Sequence, residues 1–509
     1  MVRWKTTSLL FAAGLVAAAA CGKRVDRSLV EPEALATVDS KSPFLKAHMK
    51  DGSLYVLSEW AVHPVTSDVS GSGLLYEADR SQSDSGRHYV PLDSVALFET
   101  NVVHASSGVA ALAIISGISV GFTVYCATNP KACFGSCPTF YVSDGHSDLL
   151  QAEGFSASVA PSLEATDIDA LYRARGSGSR FTLRMTNEAL ETHVVRTVNL
   201  LAVRREPGRR VLVDEESVFW SVDEPEAPVS CAAEEGDCLA LVRAFDQRER
   251  FSAADSADLA ARELLELTFS PRPGESTALV LASRQSLLPT YVLYQALAYM
   301  GSSVGEWLAK FERADSATQR RAGDLVSTLG GIDVLVLGPD GTWTPVGAVM
   351  ETGPLAADVR LVHLPPLSDS IRVRLRMARG AWRVDYVALV SPAQRIEPVR
   401  LSPTSVLGPD AAARSKLLDS TQVLVTLPGD EYRISYDLPG ETEEYELFLE
   451  SRGYYLEWMR QEWIAEEDKW KAMRLFRNPA FSLRRLAPEF KEVEPMMEAA
   501  FWGSKYVAP

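Results

Sequence analysis

Basic residues are in short supply in this chain. Its 509 residues carry 51 Lys and Arg against 67 Asp and Glu, a formal net charge of −16. Phosphate-backbone binding runs on Lys and Arg, so this balance excludes a nucleic-acid reader. Histidine is scarcer still: seven residues, scattered singly, none in an HExxH or other close metal pair. No calcium loop of the EF-hand type closes around Asp144 and Asp148, which lack the terminal Glu at the right spacing. No cofactor or metal is therefore expected. Internal repeats and long low-complexity stretches are missing too, which excludes solenoids and disordered tails.

Long uncharged runs are also few. One opens the chain: Arg3 and Lys5, then residues 8–20 without a charge, ending in small residues before Cys21. It is shorter than the roughly 20 apolar residues of a membrane span and has the layout of a secretory signal. The other is residues 109–127, mostly apolar. As a helix it would reach about 28 Å, close to a hydrocarbon core. Its Gly108, Gly117 and Gly121, with Ser116, Ser119 and Thr123, equally suit a buried, closely packed helix. Both readings stand at this point.

Ala18-Ala19-Ala20-Cys21 resembles the lipobox of bacterial lipoproteins. That resemblance implies diacylation of Cys21 as the mature N-terminus, with Ala18 standing where the family usually has Leu. More than one acyl chain makes such an anchor stable. Gly22 rather than Asp after the cysteine implies an outer-membrane destination where the cell has one. The expected setting is thus the bacterial cell envelope, with the membrane as partner through the N-terminal lipid.

What is present in quantity is apolar residue, 46% of the chain with 23% charged, enough for two to four folded domains. Period-two alternation dominates. Ile371, Val373, Leu375 and Met377 alternate with Arg372, Arg374 and Arg376, and Phe181, Leu183 and Met185 alternate with Thr182, Arg184 and Thr186. The expected fold is mainly β with added helices (α+β): antiparallel β-sandwich domains, a helical insertion and a helical C-terminal tail. The expected divisions are signal peptide 1–20, lipidated tether 21–48, small β-domain 49–105 and apolar helix 106–128. A β-rich domain at 129–331 follows, with helical insertion near 285–330, then a β-sandwich at 332–450 and the tail at 451–509.

The stretches CFGSCPTFY (133–141), QAEGFSASVAPSLEATD (151–167), VRLRMARGAWRVDYVAL (373–389) and GYYLEWMRQEW (453–463) resemble a group of uncharacterised bacterial envelope proteins. The resemblance spans about a third of the chain and implies an envelope protein without implying an activity.

Candidate chemistry is thin. Cys231 and Cys238 bracket the polar loop AAEEGD and suit a hairpin disulfide. Cys133 and Cys137 suit another, with Cys126 left within the apolar run; a metal site on these three fits zinc spacing poorly. Gly301-Ser302-Ser303-Val304-Gly305 fits G-x-S-x-G, with Asp340 and His363 in permitted order for a hydrolase. Residues 291–300 before it are helical in composition, and no alternating βαβ units surround it, so a helix–turn–helix bend explains the motif as well. Arg372, Arg374 and Arg376 form one sheet face, suited to an anionic glycan or simply solvated. Leu456, Met459, Trp463, Trp470 and Met473 fall at helical spacing, as a packing or docking stripe. The reading is a membrane-anchored envelope lipoprotein with a non-catalytic binding or structural role, partnered by a glycan or an envelope protein. The alternative is a serine hydrolase centred on Ser303.

Overall fold

The computed structural model describes residues 23–37, 42, 44–78, 82–105, 137–144, 147–175, 178–271, 276–312, 327–350, 353–366, 371–459 and 461–503. Cys21, Cys126, Cys133 and the apolar stretch 106–128 lie outside them. Among the described residues no helix is long and apolar enough to cross a membrane. The fold is mainly β with added helices and a long C-terminal helix. It divides into two units, residues 1–122, 298–313 and 458–468 in the first and the remainder in the second.

In the first unit, six antiparallel strands form one sheet. Their order is Lys23–Val30, Val95–Ala105, Phe44–Met49, Leu54–His63, Asp68–Tyr76, Gln82–Pro91. Leu45, Ala47, Leu57, Val69, Val90 and Phe98 build its core. The expected tether at 21–48 is thereby corrected, because it supplies two of these strands. KRVDRSLV is charge-rich and reads as solvated linker, yet as an edge strand it needs only one partner, Val95–Ala105, some seventy residues away.

The second unit holds four sheets. Thr139–Ser143, Asp148–Glu153, Arg180–Thr186, Ser405–Leu407 and Glu431–Asp437 make one. Ala165–Ala170, Glu191–Arg204, Val399–Leu401 and Tyr445–Glu457 make a second, with Leu424–Thr426 joined to Glu191–Arg204. Side-chain alternation shows how they stack. Val198, Leu200, Ala202, Leu447 and Leu449 pack against Phe140, Leu183, Ile434 and Tyr436 of the first sheet. Their neighbours Leu201, Val203 and Phe448 face the opposite way, into a core with Val213, Val280, Leu361 and Val390 of a third sheet. The middle sheet is therefore buried on both faces, which is why Glu191–Arg204 carries the nearly unbroken apolar run VNLLAV.

That third sheet contains Arg210–Asp214, Phe219–Val222, Thr277–Gln285, Asp358–Leu364, Trp382–Val390 and Pro392–Ile396. The fourth centres on Arg262–Phe269 paired with Ile371–Ala378. The helix Pro479–Gly503 buries Leu483, Leu486, Phe490, Val493, Met497 and Phe501 along one side. Glu498 on it joins Arg284, Arg383 and Glu249 in a clamp, with Arg284 bonded to Glu249 at 2.5 Å and to Glu498 at 2.9 Å.

Two further boundaries are corrected. The contiguous sandwich expected at 332–450 is distributed among sheets. Arg180–Thr186 pairs with Glu431–Asp437, and Glu191–Arg204 with Tyr445–Glu457, so partners stand about 250 residues apart. The helical tail begins late, because Tyr445–Glu457 stays extended through GYYLE, whose aromatics favour strand. Leu456 therefore lies on a strand, and the proposed stripe from Leu456 to Met473 is not the face of one helix.

Candidate functional site

Two polar features of the second unit adjoin along the strand Ala165–Ala170. The first is a cleft of about 490 Å³ into which that strand's continuation, Leu171 and Tyr172, projects. Arg175, Arg205, Arg210, Glu443 and Glu446 share its lining. Arg205 and Arg210 flank the turn Pro207-Gly208 that links two strands of different sheets. Arg210 Nε donates to Glu446 Oε1 at 2.5 Å, and its guanidinium lies 5.1 Å from the Tyr172 ring centre. Arg205 Nη2 donates to the Tyr445 carbonyl at 3.3 Å and its Nε stands 3.6 Å from Glu446. Arg175 is held differently. Its Nη1 donates to the carbonyls of Tyr172 and Ala174, at 3.3 and 2.9 Å. No carboxylate among the described residues lies within ion-pair distance of it.

Charge in the cleft is fixed by these contacts. Burial, then the Glu446 carboxylate, hold the Tyr172 hydroxyl well above its ordinary range, so it stays protonated. Its hydroxyl donates to the Val211 carbonyl at 2.8 Å. Burial works against the Arg210 charge, but Glu446 more than offsets it and leaves the guanidinium firmly cationic. A second depression of about 510 Å³ shares Tyr445 and is bordered by Arg204, Glu206, Gln394 and Arg395.

The second feature is a carboxyl-rich seam. Ile168 and Ala170 point into the core beside Val359 and Leu361, which leaves Asp167 and Asp169 on the other side of their strand. Arg360 is the cation there. It binds Asp358 at 2.5 Å and lies 3.8 Å from Asp167. Glu153 approaches from the strand Asp148–Glu153 and accepts the Leu355 amide at 2.8 Å. Gly353 lies close beside it: a Cβ there would fall 1.8 Å from Glu153 Oε2, so the Glu153 carboxylate would have to shift. Asp169 is 7% exposed, and its Oδ2 has no hydrogen-bond partner. Burial first, then the charges of Asp167 and Asp358, raise its carboxyl well above the usual range. Burial likewise lifts Asp167 to about 6, against the pull of Arg360. Among the described residues no three His, Cys, Asp or Glu side chains are placed to hold a metal ion.

The residues singled out from sequence sit as follows. Cys231 and Cys238 form a buried disulfide. Cys137 is buried, its Sγ 3.6 Å from the Ser156 carbonyl oxygen. Ser303 lies in a turn between the helices Leu287–Met300 and Val304–Glu312, and its Oγ donates to the Met300 carbonyl at 2.7 Å. The strand that a nucleophile elbow needs is replaced by a helix. Glu467 accepts both the amide and hydroxyl of Ser302, and it packs so tightly on Gly301 (φ +55°) that a Cβ there would sit 2.5 Å away. His363 is 42% exposed and faces Asp214 Oδ2 at 3.6 Å and the Trp220 ring. Asp340 accepts the Thr342 amide within an exposed turn. The three guanidiniums of the arginine stripe share two carboxylates. Arg372 and Arg374 both reach Glu266, Arg376 reaches Asp333 at 2.9 Å, and Arg374 stacks on Trp343.

Sequence reasoning missed both features described above. The signals for them were RREPGRR, a basic hairpin in an acidic chain, and TDIDA, where acids alternate with core residues.

No family model matches this chain, and no curated protein does. Among solved structures, a beta-porphyranase of glycoside hydrolase family 86 from the human gut bacterium Bacteroides plebeius is 8% identical, at a TM-score of 0.15. That match covers 45% of this chain, which spans only 36% of the porphyranase chain. The secreted serine protease VesC from Vibrio cholerae is 9% identical over 73% of this chain and 99% of its own, at a TM-score of 0.13. Likeness at such scores carries no argument about fold or activity.

Proposed function

We propose that this chain is an exported envelope lipoprotein, anchored through Cys21, whose layered β body binds a ligand bearing an anionic group at the arginine cleft without catalysing a reaction on it. Arg175 carries the reading. In a chain of net charge −16, this guanidinium is oriented at the cleft by two backbone carbonyls while no acid among the described residues pairs with it. Guanidinium binds carboxylate, sulfate or phosphate through paired donors, and a fork already oriented loses little freedom in doing so. Arg205 adds a second donor set, and Tyr172 gives the cleft a neutral wall. The Cys231–Cys238 disulfide supports export, because such bonds persist outside the reducing cytosol.

The binding test uses calorimetry with glucuronate-bearing and sulfated oligosaccharides beside matched neutral ones. Binding of the acidic probes, weakened about tenfold or more in Arg175→Ala, is expected; a truncated charge-assisted pair costs on that order. Acidic probes that bind wild type and Arg175→Ala alike would refute the placement. Intact-mass analysis of detergent-extracted protein checks the anchor: a diacylated or triacylated Cys21 is expected, and an unmodified Cys21 on an uncleaved chain defeats it. The hydrolase alternative rests on Ser303, whose hydroxyl proton is committed to Met300. Ester hydrolysis lost in Ser303→Ala would restore it.

A further inference from the structure

Asp169 sits in a place that suits a neutral acid and not a carboxylate. It is buried, and its Oδ2 accepts nothing. Its own strand contributes Asp167, and the strand Asp148–Glu153 contributes Glu153. The strand Asp358–Leu364 contributes Asp358 and Arg360. The paired strand Tyr445–Glu457 sets Leu449 opposite Asp169 and Ser451 opposite Asp167. Its charges are engaged elsewhere, Glu450 with Asn199 and Arg400, Arg452 with Glu164. Beyond Asp358–Leu364, the end of Arg210–Asp214 brings Asp214 and Glu215, and Asp214 is bonded to the Trp220 indole. Asp167, Asp169, Asp358 and Glu215 thus share one guanidinium, Glu153 adds to the crowd, and Arg360 is already spent on Asp358 and Asp167. Like charges so crowded cannot all ionise.

Position gives this a consequence. Leu171 and Tyr172 follow Asp169 after Ala170 and form a wall of the arginine cleft. Tyr172 also feels the charges of Asp358 and Arg360. We propose that Asp169 is a proton latch: the strand Ala165–Ala170 seats against Asp358–Leu364 while Asp169 carries a proton, and loss of that proton loosens the strand together with Leu171 and Tyr172, releasing the cleft's ligand. The release of ligand rests on the binding reading above; the loosening does not.

The sign is that of a buried acid. Its raised proton affinity means the seated form binds the extra proton, so seating is favoured at low pH and lost as pH rises.

Hydrogen exchange of the full chain, corrected for the intrinsic effect of pH, reads the strand directly. Between about pH 5 and about pH 8, peptides covering residues 165–172 should lose about tenfold or more in protection, the factor that one unit of linked pKa represents. Asp169→Asn should lose markedly less protection than wild type over that range, with Asp167 alone of the pair still titrating. Identical profiles for wild type and variant would overturn the latch. Should Asp169→Asn fail to fold, infrared spectroscopy of the wild type decides instead. A protonated carboxyl band persisting near neutral pH is expected, and its absence ends the proposal. Acidic oligosaccharide binding separates the two readings. Affinity that ignores pH while binding persists removes the release step alone; loosening without any probe binding leaves the latch and removes the binding function.

Discussion

Opening the Cys231–Cys238 disulfide should cost the second unit a definite and calculable amount of stability. The bond closes a ring across a sequence separation of 7 residues. Loop-closure entropy for a ring of that size corresponds to about 2.4 kcal/mol at room temperature. A second, smaller loss is built into the hairpin. Glu234 binds Arg379 at 2.6 Å and Glu235 binds the buried Arg250 at 2.7 Å. Freed of its bridge, the hairpin holds both less well, but Arg250 keeps Glu263, so the addition should stay within about 1 kcal/mol, the usual worth of exposed pairs. Urea unfolding measures the sum. With a slope of about 3 kcal/mol/M, the midpoint of Cys231→Ala, Cys238→Ala should fall by about 0.8 to 1.1 M at unchanged slope. Wild type in reductant should fall nearly as far, because the thiols keep the core volume. A loss under about 0.5 kcal/mol in both would refute the reasoning. A loss in the variant alone would assign the effect to the cavity instead.

Glu263→Gln should destabilise by about 3–5 kcal/mol in the same assay, because Arg250 and Glu263 are both almost wholly buried at 2.7 Å. Replacing both by Met and Leu should recover most of that loss. Stability should decline as pH rises from about 4 through about 6, since Asp167 and Asp169 both hold protons more tightly when folded. Asp169→Asn should make the decline shallower, and a midpoint that instead climbs over that range contradicts the assignment. Gly353→Ala should displace the Glu153 carboxylate from the Leu355 amide and lower stability by about 1 kcal/mol, the usual worth of one hydrogen bond, in the same urea assay. Arg374→Ala should leave acidic-oligosaccharide binding unchanged in titration calorimetry, its charge being already answered by Glu266.

Strands were legible in the sequence wherever one face is buried. Ile371–Ala378 alternates by chemistry and by burial alike, and the Cys231–Cys238 hairpin was legible because both of its ends are local. What could not be read was partnership. Alternation marks which residues of Arg180–Thr186 face a core, but nothing in it names Glu431–Asp437 as the neighbour. The same blindness left the arginines open. Arg372, Arg374 and Arg376 read either as a glycan face or as a solvated one, because Glu266 and Asp333, which pair with them, stand about 40 to 110 residues away. Arg175, two residues after Arg173, was not singled out, and only the fold shows that among the described residues no carboxylate pairs with it.

A layered β stack explains why the polar features gather where they do. The middle sheet spends both faces on cores, so the charges along Glu191–Arg204 and Tyr445–Glu457, such as Arg196, Glu450 and Arg452, are held in ion pairs. Further charge gathers at the ends of strands and on the edge strand Ala165–Ala170. At the ends it meets the arginine hairpin and becomes the cleft. At the edge it meets Asp358–Leu364 of the next sheet and becomes the seam. Two residues, Ala170 and Leu171, separate Asp169 from Tyr172, too few for a change at one to leave the other in place. Proton and ligand are coupled, on this view, by the edge strand itself, and the coupling would vanish if Ala165–Ala170 were held from both sides.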